Sequence, residues 1–287
     1  MPVARRPKPP IVLFSNSWTM GGTEQHLIQL GSGLVARGYT VAAICSPRAD
    51  VAPLRAELRA AGVRVHTLAE RGRGRAAPLA RLVNLIRTIH PSQGCTLHIH
   101  LTGHIGGELA LVAGRLAGAR RIIRTEHNPP VPPITARDRW VVRLRDRLLN
   151  GVICVSEATR EAHVSELRRD PRKCVVVHNG VDLTRFNPAV SGAGVHAEFG
   201  LGADMTLVGT VARLAEERKG LADFLRMAAI VAGSHPRTRF VIVGDGPLRP
   251  VLEQQAQALG IGDRVIFTGA RADVPRLLAA MHSIVIP

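Results

Sequence analysis

Short β-branched apolar runs alternate with longer amphipathic stretches along the whole chain, and that rhythm restricts it to α/β architectures. The runs that fit strands are Ile11–Ser15, Thr40–Cys45, Val63–Leu68, Leu97–Leu101, Arg121–Thr125, Gly151–Val155 and Cys174–Val177. Helix-like segments lie between them: Glu24–Arg37, Pro53–Ala61, Pro78–Ile89, Gly106–Ala117, Arg137–Leu149 and Glu157–Leu167. Strands that read as unbroken apolar runs are buried on both faces, which calls for a parallel sheet with helices above and below it. After the polar, Gly- and Pro-containing stretch Asn187–Gly202 the pattern restarts, with Thr206–Val211, Arg239–Val243, Arg264–Phe267 and Ser283–Ile286 as strands. The expectation is two successive Rossmann-like doubly wound domains, residues 1–186 and 187–287, in a chain long enough for two cores. The second series stops at a strand with nothing after its carboxyl end, so the second domain is expected to be incomplete.

Charge is spread unevenly over this plan. Residues 1–185 carry 28 Lys and Arg against 13 Asp and Glu, a net +15, whereas the remainder carries +1. A basic first half suits an anionic partner, either nucleic acid or anionic lipid. Nucleic acid is the weaker fit, because no reading motif is present and one tyrosine offers little stacking surface. No apolar run is long enough for a membrane span, and Met1–Pro10 lacks the features of a secretory signal. Cys45, Cys95, Cys154 and Cys174 form no CxxC pair and fall mostly in apolar stretches, as buried reduced thiols of a cytoplasmic protein would.

Candidate chemistry collects where strands end and helices begin, since backbone N–H groups and helix N-termini favour anions there. The first strand runs into Gly21-Gly22-Thr23-Glu24, where paired glycines allow close approach of a ligand; the dinucleotide pattern GxGxxG is absent. His98 and His100 share one face of a strand, with His104 just beyond, yet no Asp, Glu or Cys completes a metal set and none is expected. His127 follows the strand Arg121–Thr125 and opens a Pro-rich loop, a place for a hydrogen-bonding or acid/base group. Asn179-Gly180-Val181-Asp182 and Gly244-Asp245-Gly246-Pro247 are strand-end turns, the second with proline at a helix start. Arg213 ends the strand Thr206–Val211, and Lys219 stands at the entrance of the helix Leu221–Val231. A forked guanidinium and a point-charge ammonium six positions apart suit a diphosphate; a solvated loop with ordinary surface charges is the plainer alternative.

In this order and spacing the motifs resemble family 4 of the glycosyltransferases, retaining enzymes of the GT-B fold. The resemblance is carried by Gly21-Gly22-Thr23-Glu24, Val155-Ser156-Glu157 and Val177-His178-Asn179-Gly180-Val181-Asp182 with Phe186 and Pro188. It continues through Arg213, Lys219-Gly220, Val243-Gly244-Asp245-Gly246-Pro247, Arg264-Val265-Ile266-Phe267-Thr268-Gly269 and Asp273-Val274-Pro275. The resemblance implies a sugar transferred with retention from a nucleotide-diphosphate sugar to a glycan or lipid-linked acceptor held by the first domain. It implies that Arg213 and Lys219, with the backbone of Gly21 and Gly22, grip the donor diphosphate, and that His127 lies beside the reacting centre. Arg218, Gly244, Asp245, Glu24 and Asn179 become further donor or acceptor contacts, with no metal or other cofactor. Two departures stand out: Ala212 precedes Arg213 where the family usually has glycine, and the Arg-to-Lys spacing is one longer than its commonest form. The family's loop with two glutamates eight positions apart has no counterpart here, so a non-catalytic nucleotide- or partner-binding remnant is the alternative.

The segment Arg137–Leu149 adds a surface expectation. As a helix it sets Arg139, Arg143 and Arg147 on one stripe and Trp140, Leu144 and Leu148 on the next, which suits an anionic membrane surface. Arg71, Arg73 and Arg75 would extend that basic surface, on the inner face of the cytoplasmic membrane. The competing arrangement packs Trp140 and Leu144 on the sheet.

Overall fold

The computed structural model describes residues 8–68, 77–90, 94–101 and 107–287. His104 and the Arg71, Arg73 and Arg75 stretch lie outside the described residues. The chain divides into two units, Met1–Gly180 and Val181–Pro287. The division falls ahead of Phe186 because the 181–186 turn is bonded forward. Phe186 N–H donates to Asp182 O at 2.8 Å, and the Arg185 guanidinium donates to Ala272 O at 2.7 Å.

The first unit runs β1 (Ile11–Ser15), α1 (Gly22–Ala36), β2 (Val41–Cys45), α2 (Ala52–Ala60), β3 (Arg64–Thr67), α3 (Ala77–Ile89), β4 (Thr96–Leu101) and α4 (Glu108–Leu116). It continues β5 (Arg121–Glu126), α5 (Ala136–Leu148), β6 (Gly151–Cys154), α6 (Glu157–Ser165) and β7 (Cys174–Val176). Its seven described strands are parallel, in the order β3-β2-β1-β4-β5-β6-β7. Strand alternation sorts the side chains between two cores. Val12 and Phe14 of β1 join Leu82, Ile86 and Ala110 of α3 and α4 on one face, while Leu13 joins Leu27, Leu54 and Leu58 of α1 and α2 on the other. Each of those buried leucines contributes about 1.5–3 kcal/mol. Gly114 lets α4 approach the sheet, because a Cβ there would press on Leu97 and, at 2.9 Å, on Ile122. The four cysteines are buried and free.

Helix starts follow local chemistry. Thr135 caps α5 by accepting from Asp138 N–H at 3.2 Å, and the Asp138 carboxylate accepts from Thr135 N–H at 2.8 Å, a capping box worth about 1 kcal/mol. Ser156 accepts from Thr159 N–H at 3.1 Å, which gives Val155-Ser156-Glu157 a structural role at the start of α6.

The second unit comprises α7 (Val195–Glu198), β8 (Thr206–Val211), α8 (Leu221–Ser234), β9 (Thr238–Val243), α9 (Arg249–Ala258), β10 (Val265–Gly269), α10 (Val274–Ala280) and β11 (Ser283–Ile284). Its four described strands are parallel in the order β10-β9-β8-β11. Phe240 and Ile242 pack under α8 and α9, whereas Val241 and Val243 face Leu277 and Val195. Both units thus turn the strand order at their first strand, between β1 and β4 and between β8 and β11. The crevice outside the carboxyl ends of strands at such a point is where open α/β sheets bind ligands.

Candidate functional site

In the first unit that point is lined by histidines. β1 leads through a loop to α1, whose first residue is Gly22, preceded by the extended Gly21. Nothing lies within 4 Å of where a Gly22 side chain would start, so the fold does not itself demand glycine there, and the helix N-terminus is open to a ligand. Glu24, on the first turn, is buried at 3 % exposure. One residue pair further along α1, His26 meets His100 from the end of β4 and His127 from just past β5, with ring centroids 5.5 and 5.1 Å away. Register explains the meeting: His100 sits opposite Ser15 of β1 and Thr125 of β5. His100 Nδ1 lies 3.4 Å from His127 Nε2. His98, on the same strand face as His100, stacks 4.0 Å from it and bonds the Thr125 hydroxyl at 2.7 Å.

Burial dominates the electrostatics of this cluster. It pushes His98 down to about 3 and His127 down to about 4, with repulsion from His26 adding to both. His100 lies well below the ordinary histidine value for the same reason, and His26 is lowered by burial, against a hydrogen bond to Asn179 that raises it. The four imidazoles are therefore neutral at pH 7, each with one donor and one acceptor nitrogen.

The loop bearing His127 is clamped on both sides. Glu126 is 1 % exposed, with Oε1 2.7 Å from both Arg124 Nε and Arg169 Nη2. Burial opposes its charge, yet the two guanidinium groups prevail and hold its carboxyl below the usual range. On the other side the buried His163 Nε2 donates to Asn128 O at 3.0 Å.

A hollow of about 250 Å³ in the first unit is lined by Phe14, Ser15, Ile44, Ser46, Leu68 and Leu109 among others.

In the second unit the loop after β8 carries the cations. Ala212 N–H donates to Val243 O, and Leu214 N–H donates to Asp245 O at 2.9 Å, so this loop is laced to the turn after β9. Gly244 makes that possible: its φ is +139°, and a Cβ there would fall on the Ala212 carbonyl oxygen. Asp245 turns its carboxylate back onto Gly246 N–H at 2.8 Å. Arg213 is exposed and ion-paired to Glu216 at 2.6 Å; the same carboxylate takes Arg218. Lys219 closes a 3-10 turn, Glu217–Lys219, and Gly220 in the left-handed region (φ +63°) leads into α8. Arg213 and Lys219 thus occupy the expected places, but Glu216 holds both arginines, a partner the charge pattern alone did not reveal.

Other sequence readings divide in the same way. The pairing of His98 with His100 on one face is present. The groups that complete a histidine cluster are other histidines, His26 and His127, not an acid or cysteine. His26 carried no motif signal. It was legible only as a residue one turn into the helix after the paired glycines. Trp140 and Leu144 on α5 are 64 % and 46 % exposed, so they do not pack on the sheet. Arg139, Arg143 and Arg147 lie along α5; Arg139 is half-buried with its Nε donating to Glu166 O at 2.8 Å, and Arg143 and Arg147 are exposed. Among the described residues no helix is long and apolar enough to cross a membrane.

Two doubly wound parallel units, each with polar groups gathered at its strand-order reversal, define a protein of the GT-B fold class. A crystal structure of Anabaena Alr3699/HepE in complex with UDP-glucose shares this fold at a TM-score of 0.79 and 22% identity, covering 96% of this chain and 73% of that one. The chain belongs to Glycosyltransferase Family 4, which it matches over residues 20–185, and residues 206–287 match Glycosyl transferases group 1. It is 27% identical over 215 residues to the UDP-Gal:alpha-D-GlcNAc-diphosphoundecaprenol alpha-1,3-galactosyltransferase of Escherichia coli, covering 72% of this chain and 55% of that one. It is 28% identical over 213 residues to the 2-deoxystreptamine glucosyltransferase of Streptomyces kanamyceticus, covering 67% of this chain and 53% of that one. The chain therefore spans about half the length of these two relatives.

Proposed function

We propose that the chain acts as a retaining glycosyltransferase, moving a sugar from a nucleotide-diphosphate donor to a glycan or lipid-linked acceptor. The observation that carries this reading is the β8 turn. In a family 4 chain it sets Arg213 and Lys219 at a strand end and helix entrance, braced by the Gly244 turn. In this reading the diphosphate displaces the Glu216 carboxylate from Arg213 and takes Lys219 as a second cation, while Gly21 and Gly22 offer backbone N–H groups. Negative charge that develops as the glycosidic bond breaks then meets preorganised positive partners, without a metal at the diphosphate. The leaving diphosphate accepts the acceptor's proton. His127, a neutral imidazole held by the clamp of Glu126 and His163, donates a hydrogen bond at the reacting centre and is no nucleophile. The 250 Å³ hollow in the first unit is the acceptor-side surface.

The test is calorimetry with UDP and GDP as probes. Arg213→Ala and Lys219→Ala each remove a charge-assisted hydrogen bond of about 1.5–3 kcal/mol, a loss of about tenfold to a hundredfold in affinity. Unchanged affinity in both variants would end the assignment.

The place of action in this reading is the inner face of the cytoplasmic membrane, with a lipid-linked acceptor of the kind in the Escherichia coli relative's name. Its support is α5, with Trp140 and Leu144 exposed beside Arg143 and Arg147. Each basic residue near an anionic leaflet contributes about 1 kcal/mol, screened by salt. Co-sedimentation with phosphatidylglycerol vesicles is expected to be strong at low salt and weakened by Arg143→Gln with Arg147→Gln. Equal binding to neutral vesicles removes the electrostatic reading.

A further inference from the structure

Three histidines from three different elements of the first unit point ligand nitrogens at one another: these atoms of His26, His100 and His127 all lie within 4.8 Å. Their ring centroids stand 5.1, 5.5 and 5.7 Å apart, a nearly equilateral triangle. Two nitrogens bound tetrahedrally to zinc at 2.0–2.1 Å are about 3.3–3.4 Å from each other. The pair His100 Nδ1 and His127 Nε2, at 3.4 Å, already has that separation. We propose that His26, His100 and His127 form a site for one divalent transition-metal ion of the zinc type, and that its occupation silences His127.

The side chains around the triad fit this use. His100 is fully buried, and its Nδ1, the nitrogen at ligand spacing from His127 Nε2, meets only that second neutral imidazole at 3.4 Å. A cation between these two atoms takes a lone pair from each ring in place of that one long contact. Outer partners orient the rings, as metal-bound histidines require: Asn179 bonds His26, and His98, fixed on Thr125, stacks against His100. An all-imidazole set without a carboxylate selects Zn²⁺, Co²⁺, Ni²⁺ or Cu²⁺ over Mg²⁺ or Ca²⁺. His26 and His127 are only partly buried, which leaves the ion a route in and a fourth position for water.

The ion is an inhibitor in this scheme and not a cofactor, because it takes the His127 nitrogen lone pair and freezes the ring. This consequence rests on the function proposed above; the site itself does not.

The experiment is a Co²⁺ titration of the metal-free 287-residue protein. Visible d–d absorption should saturate at one equivalent and be displaced by Zn²⁺. His26→Gln and His127→Gln, at partly exposed positions, should weaken cobalt binding by more than about tenfold, and Asn179→Ala by about tenfold. The exposed His235→Gln in the second unit should bind as the wild type does. Circular dichroism of His26→Gln must match wild type for its loss to count. No saturable binding, or binding that survives in His26→Gln and His127→Gln, overturns the site and leaves a purely hydrogen-bonded imidazole cluster. Transfer is then assayed with Zn²⁺ and with a chelator. Saturable binding that leaves transfer untouched keeps the site and removes His127 from the reacting centre.

Discussion

Replacing Glu126 with glutamine changes almost no volume but removes the charge from the middle of a buried ion network. Arg124, Arg145 and Arg169 are 3 %, 5 % and 3 % exposed, and their compensating carboxylates are Glu126, Asp146 and the more exposed Glu108. With Glu126 neutral, Arg124 and Arg169 each lose a partner at 2.7 Å and stay buried. Deleting one partner of a buried pair costs about 3–5 kcal/mol, a large share of the roughly 5–15 kcal/mol that holds a domain together. With a urea m-value of about 2–3 kcal/mol/M, the midpoint of the first unit should fall by about 1–2.5 M. Trp18 and Trp140 both belong to the first unit, so intrinsic fluorescence follows its unfolding alone. Glu126→Gln combined with Arg169→Met should cost less than the sum of the two single changes, since one unpaired charge has gone. A loss below about 1 kcal/mol for Glu126→Gln would mean that the network is not desolvated as its geometry requires.

The other expectations separate binding, turnover and folding. His127→Ala should lower kcat far more than it raises donor KM, because the group acts where charge develops; normal turnover with a raised KM would make it a binding residue. Gly244→Ala should destabilise the second unit by about 3 kcal/mol in chemical denaturation, as φ +139° and the Ala212 carbonyl leave no room for a Cβ. Gly22→Ala meets open space, so its stability should match or slightly exceed wild type while UDP affinity falls; unchanged affinity would take Gly22 out of the donor site. His90, held down at about 4 by burial and Arg64, binds its proton later in the folded state than the ordinary 6.5 of the unfolded chain. Stability should therefore be full above pH 6.5 and decline between pH 6.5 and about 4, more steeply than in His90→Gln; parallel profiles would refute it.

What the sequence determined by itself is whatever local periodicity encodes. Unbroken apolar runs such as Val41–Cys45 announce strands covered on both faces, and the strand and helix assignments match the structure to within a few residues. Turn chemistry was equally legible: the Gly244 turn, the Arg213-to-Lys219 loop and the Ser156 cap all depend on residues within a few positions of each other. Tertiary structure alone decided which distant groups meet. Parallel strands are joined by crossovers, so β1, β4 and β5 become neighbours although long segments separate them, and only that adjacency brings His26, His100 and His127 together. Arg169 reads as one more surface cation beside Arg168 and Asp170, yet it is buried against Glu126, 43 positions away. The exposure of Trp140 and Leu144 was likewise undecided by the pattern of α5, since an apolar stripe looks the same whether it meets a sheet or solvent. Hydrophobic period specifies that a face is apolar; only the packed chain specifies what covers it.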